Sequence, residues 1–86
     1  MPEVGAVVLS LAGRDSGKLL ATVGSENGFI LVCDGKERPV ERPKRKNSRH
    51  LRCLNITLSE DDLRTNRALR KALARVRESI GENSGG

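Results

Sequence analysis

Two glycines and a lysine at short spacing, in "AGRDSGK" (residues 12 to 18), are residue types that hold phosphate. Glycines let backbone amides turn toward an anion, and a neighbouring lysine supplies the charge. The nucleotide-binding version of such a loop reads G-x-x-x-x-G-K-[ST], with the last hydroxyl on magnesium and a helix opening behind it. Here only three residues separate Gly13 from Gly17, and Leu19 stands where the hydroxyl belongs. The chain continues as "LLATVGSENGFILVCDG", rich in Val, Ile and Leu and broken by Gly and Asn-Gly, which reads as strand, turn, strand. "DSG" resembles the setting of a serine-protease nucleophile, but 86 residues with a single histidine cannot carry that scaffold. No constellation for acid–base or nucleophilic catalysis appears. The chain is read as non-enzymatic, and the loop as a contact for some phosphate other than a nucleotide's.

Charge says which phosphate. Sixteen Lys and Arg against eleven Asp and Glu give a net charge of +5. Segment 36 to 52, "KERPVERPKRKNSRHLR", alone carries eight basic and two acidic residues, so the remainder is close to neutral. A basic stretch inside a balanced domain is an electrostatic footprint for polyanions. A solubilising surface loop is the plain alternative. Phe29 is the only aromatic residue. Single-strand binders stack bases on aromatic side chains, so contacts to phosphates, 2′-hydroxyls and the shape of folded RNA fit this composition better. Phe29 itself, inside "FILVC", is expected in the core.

Cys33, His50 and Cys53 lack the C-x₂₋₄-C pairing and fourth ligand of a structural zinc site, so no metal and no cofactor is expected. Both cysteines read as buried, reduced thiols. "NIT" at Asn55 matches a glycosylation acceptor, but "MPEVGAVVLSLAG" has no basic start or cleavage site of a secretory signal. With no run of 18 apolar residues either, the expectation is a cytoplasmic protein without a membrane span.

The elements that must position these residues follow from apolar spacing. Eighty-six residues make one small domain that can bury roughly 60% of its unfolded surface. "VGAVVLS" (4 to 10), "KLLATV" (18 to 23) and "FILVC" (29 to 33) read as strands, with Asn27-Gly28 a hairpin turn. Pro39 and Pro43 confine a fourth strand to an edge piece around Val40. "RHLRCLNI" reads as a fifth, with Leu51 and Cys53 on one side. Short strands and tight turns predict a mainly β domain, a small barrel or sandwich. Beyond Leu58 the period changes. Leu69, Ala72, Leu73, Val76 and Ile80 form a helical stripe, with Thr65 or Asn66 as N-cap and Ser59 capping a separate turn. Arg67, Arg70, Lys71 and Arg75 form a second basic face on its far side. The domain therefore divides into 1–58, a helical extension 59–81 packed on it and ended by Gly81, and a flexible tail 82–86.

Together, "VGAVVLSLAGRDSGKLLATV" (4 to 23) resembles the KOW motif, with alternating apolar residues, a glycine loop and a second strand. Continued through "ILVCDGKERPVERPKRKNSRHL", it is similar to the small KOW-domain RNA-binding proteins of Gram-positive bacteria. Those in turn resemble archaeal and eukaryotic large-subunit ribosomal proteins. The resemblance covers about residues 4 to 56 and implies an SH3-like barrel of about five strands, ribosome association and binding of ribosomal or other structured RNA. By position, Gly13 and Gly17 would shape the loop, with Arg14 and Lys18 at its rim. Lys36, Arg38, Arg42, Lys44, Arg45, Lys46, Arg49, His50 and Arg52 would line the adjoining RNA-facing surface. Asp15 would cap the loop by bonding its own backbone.

The protein is expected to be monomeric when free and to lose RNA affinity steeply with salt. Reversing Lys44, Arg45 and Lys46 to Glu should abolish RNA binding with the circular dichroism unchanged. The rival readings are an adaptor whose basic barrel docks an acidic protein, and a KOW-type transcription-associated nucleic-acid binder.

Overall fold

The computed structural model describes the backbone of residues 3 to 85 and the side chains of residues 3 to 80. Five strands form one antiparallel sheet: β1 (Ala6–Ser10), β2 (Leu19–Glu26), β3 (Phe29–Cys33), β4 (Lys44–Lys46) and β5 (Leu51–Thr57). Two helices follow, α1 (Glu60–Arg64) and α2 (Asn66–Gly85). Strand order is β4-β3-β2-β1-β5, so the fourth and fifth strands lie at opposite edges although they are neighbours in sequence.

Only residues 47 to 50 join those edges, three of them wound into a 3₁₀ turn, Ser48–His50. Such a link spans roughly 13 Å, whereas five flat strands would hold their edges about 19 Å apart. The sheet therefore curls. Lys46 of β4 bears this out by donating from Nζ to Ser10 Oγ of β1 at 2.9 Å, across the two strands between them.

Period-two alternation gives the curled sheet two apolar faces. Val8, Leu20, Ile30 and Val32, with Leu51 beside them, fill the concave side. Val7, Leu19, Ala21 and Cys33 face the other way and are covered by Leu69, Leu73 and Val76 of α2. The helical stripe read from spacing is thus the helix's buried face. Leu63 of α1, off that stripe, packs against the same cluster.

Local chemistry sets the boundaries. Asn27 (φ 50°) and Gly28 (φ 84°) make the hairpin turn between β2 and β3. Ser59 Oγ accepts from Asp62 N while Asp62 Oδ2 accepts from Ser59 N, a reciprocal cap on α1. Thr65, rather than Asn66, caps α2, its Oγ1 accepting from Ala68 N at 3.0 Å. Asn66 instead clamps the turn before β4. Its Oδ1 accepts from Val40 N at 2.8 Å, and its Nδ2 donates to both carboxylate oxygens of Glu41, which holds that carboxyl below its usual range.

Four expectations need correction. The fourth strand lies at Lys44–Lys46, not around Val40. Val40 gives its amide to Asn66 and closes a Pro39–Arg42 turn, so pairing with β3 begins only beyond Pro43. The helix continues through Gly81 to Gly85, because a helical glycine costs only about 1 kcal/mol relative to Ala. Phe29 opens β3 at the hairpin tip and is 40% exposed, not in the core. Cys53 is exposed as well, on β5 at an edge of the described sheet.

Cys33 is buried, and desolvation, with the charges of Asp34 and Glu41, pushes its thiol up to about 11. A thiol reagent at neutral pH should therefore modify Cys53 alone in the native protein and both thiols after denaturation. Equal native reactivity of the two would overturn this placement. An unfolded thiol ionises near its ordinary 9.0, before the folded one does. The stabilisation from keeping Cys33 protonated is thus complete below pH 9 and is lost as pH rises toward 11. No helix among the described residues is long and apolar enough to cross a membrane.

Candidate functional site

The β1–β2 loop, residues 11 to 18, is closed at its base by Ser10 N to Lys18 O (2.9 Å) and Gly17 N to Ser10 O (2.8 Å). Inside it, Ser16 N donates to Gly13 O and Lys18 N to Asp15 O. Gly13 (φ 80°) and Gly17 (φ 85°) take the left-handed conformations these turns require. Among the described residues the amides of Gly13 and Arg14 meet no protein acceptor, and both residues are exposed. The loop thus offers two free N–H donors beside an arginine.

Asp15 does not bond its own backbone. It is 1% exposed and turns inward, its Oδ2 lying 3.5 Å from Arg38 Nη2 and 3.8 Å from Lys46 Nζ. Two neighbouring cations outcompete a local turn for a buried carboxylate. Its Oδ1 and the Nε of Arg38 are buried without hydrogen-bond partners among the described residues. Lys46 is 8% exposed, and beyond Ser10 Oγ it donates to Ala12 O at 2.9 Å. Lys46 and, more loosely, Arg38 therefore tie the loop to β4 and to the β3–β4 connection. The Lys46 ammonium is therefore spent inside the protein, contrary to the surface role read from the sequence, whereas the Arg38 guanidinium stays a quarter exposed.

The remaining basic residues divide by location. The 3₁₀ turn sits against the loop through Leu11 N to His50 O at 2.8 Å, which brings exposed Arg49 and His50 to its side. Lys18 pairs with Glu37 at 3.1 Å, so the connection carrying Lys36 lies on another side. Arg14, Lys36 and Arg49 have no ion-pair partner among the described residues. Arg14, Lys18, Arg49 and His50, with Gly13 and Gly17, lie about the loop, and Lys36 stands beyond Lys18 on the neighbouring connection.

Others lie elsewhere. Arg42 stands on the turn docked to Asn66, near the start of α2. Lys44 is half-buried on β4. Arg45 faces outward, 4.0 Å from Glu26 and 6.0 Å from the centre of the Phe29 ring. Arg52 pairs in register with Leu9 and lines a groove toward Ile80 at the far part of α2.

The basic face of α2 also divides. Arg75 bridges to Asp62 of α1 at 3.3 Å, and Arg70 Nη1 donates to Gly35 O at 2.7 Å. Arg67 and Lys71 are exposed without ion partners among the described residues. Sequence reasoning passed over Arg77, which lies two helical turns after Arg70 on the same side. Both line a cleft of about 270 Å³ with Lys18 and Lys36. The heptad spacing of Arg70 and Arg77 around buried Leu73 was the available signal.

Among the described residues no group of three or more His, Cys, Asp or Glu side chains converges as a metal site. No protein-family model matches the chain, and no curated protein matches it.

Proposed function

We propose that this chain is a non-catalytic RNA-binding module of the KOW type, associated with the large ribosomal subunit, on an SH3-like barrel. The observation that carries the reading is the glycine loop: two amides at Gly13 and Arg14 without an acceptor among the described residues, flanked by Arg14, Lys18, Arg49 and His50. Amides and guanidinium groups of this kind bind backbone phosphates and set register without reading bases. The curled sheet, with β1 paired to both β2 and β5 and a 3₁₀ turn linking the two edges, supports the barrel. Asp15 pulled inward supports the site too, since it leaves the loop's outer rim cationic.

Four to five such contacts imply a slope of log affinity against log salt of about −3 to −4, or roughly sixty- to two-hundred-and-fiftyfold between 50 and 200 mM. The double variant Arg14→Glu/Arg49→Glu should weaken binding to structured ribosomal RNA by tenfold or more, with thermal stability unchanged. Filter binding across salt, and sedimentation with large subunits, measure both. Retained affinity in the double variant removes the site. Capture of an acidic protein, with no RNA bound even at low salt, turns the reading to the adaptor.

A further inference from the structure

We infer that the cleft between α2 and the β3–β4 connection is a second phosphate subsite, which makes the helix part of the RNA interface. The inference rests on the RNA-binding reading above. Three separate elements supply its cations: Lys18 from the β1–β2 loop, Lys36 from the β3–β4 connection, and Arg70 and Arg77 from α2. Two carboxylates line it as well, and both are engaged. Asp34 Oδ1 accepts from the backbone amides of Lys36 and Arg38, shaping the connection. Among the described residues Glu37 is held by its exposed pairing with Lys18, which an incoming anion can replace at little cost.

The walls suit a phosphate. Arg70 spends one N–H on Gly35 O, which anchors the guanidinium and leaves its other donors open to the cleft. Arg77 has no ion partner among the described residues. Buried Leu19 and Leu73 give the cleft an apolar floor, which strengthens the field of the cations above it.

Two junctions give the cleft direction. Lys18 belongs both to it and to the base of the glycine loop, so it joins the loop site to the cleft. Arg77 also lines the adjoining groove that holds Arg52. Lys36, Lys18, Arg77 and Arg52 thus form a basic track between sheet and helix, in which an extended phosphodiester chain finds a cation on every element it crosses.

The test compares Arg77→Glu with Lys71→Glu, an equal charge change on the solvent side of the same helix, with inorganic pyrophosphate and structured RNA as probes. In amide NMR at low salt, pyrophosphate should saturably shift residues 35 to 37 and 73 to 77. Those shifts should vanish in Arg77→Glu and persist in Lys71→Glu. RNA affinity should fall about tenfold in the first and less than about twofold in the second. Arg77→Gln gives the same ordering if the reversal disturbs folding. Equal RNA affinities in the two variants overturn the subsite and leave the loop reading standing. Pyrophosphate shifts in a wild-type protein that binds no RNA reject both the RNA reading and this role for the cleft. Unsaturable shifts scattered over the surface reduce it to non-specific charge.

Discussion

Lys46→Ala is expected to destabilise the protein by about 3–5 kcal/mol, the usual consequence of removing one partner from a buried charge cluster. The change strands Asp15, already 1% exposed, against Arg38 alone at 3.5 Å. It also removes the donor to Ser10 Oγ and Ala12 O, both held at 2.9 Å. Small domains have a total stability of only about 5–15 kcal/mol, so the variant should sit near its unfolding threshold at room temperature. Denaturant titration measures the loss. The double variant Asp15→Asn/Lys46→Met should recover most of it, because the carboxylate and its countercharge leave together. A loss below about 1 kcal/mol for Lys46→Ala would mean that water reaches Asp15 and that the cluster does not hold the loop. One consequence concerns RNA binding directly. Reversing Lys44, Arg45 and Lys46 together would put a second carboxylate beside Asp15, so the circular dichroism would change and the lost binding would say nothing about the surface.

Gly35→Ala should be nearly as costly, for a steric reason. The residue has φ of 80°, where an L side chain is strained by about 1–2 kcal/mol. A β-carbon there would stand 2.5 Å from Asn66 O and 3.3 Å from Arg70 N, both backbone atoms of α2. The helix start must therefore retreat from the β3–β4 connection, weakening the Asn66 clamp and the Arg70 bond to Gly35 O. About 3 kcal/mol in all is expected, with hydrogen-exchange protection lost first along α2. Gly17→Ala is the matched control. Its φ is 85°, but nothing lies within 4 Å of the new carbon, so backbone strain alone should appear. Equal losses in the two variants would show that helix docking does not depend on the close approach at Gly35.

What could be read from sequence was short-range chemistry. Asn27-Gly28 and the Ser59 cap each act within four residues and stand where local rules put them, and of the two caps offered for α2 the structure uses Thr65. The helical stripe was legible because its spacing alone places Leu69, Ala72, Leu73 and Val76 on one buried face. Lys46 was misread because its partners, Ser10 and Ala12, lie more than thirty residues away and meet it only when the sheet curls. Had a strand been assigned at 44 to 46, alternation would have separated outward Arg45 from its neighbours within the same basic run. Phe29 went astray for a related reason. An apolar neighbourhood says that a strand is buried somewhere, but the hairpin turn decides that its first residue sits at the tip.

The pairing of β1 with β5 also bears on how the chain assembles as it is made. The β2–β3 hairpin closes locally and can form early, within microseconds once both strands are available. The first strand's second partner arrives more than forty residues after it, and the helix that covers Val7, Leu19, Ala21 and Cys33 comes later still. During translation those side chains are without their lid until α2 has left the exit tunnel. Of the elements described, the one that seals the fold is therefore synthesised after the sheet it covers.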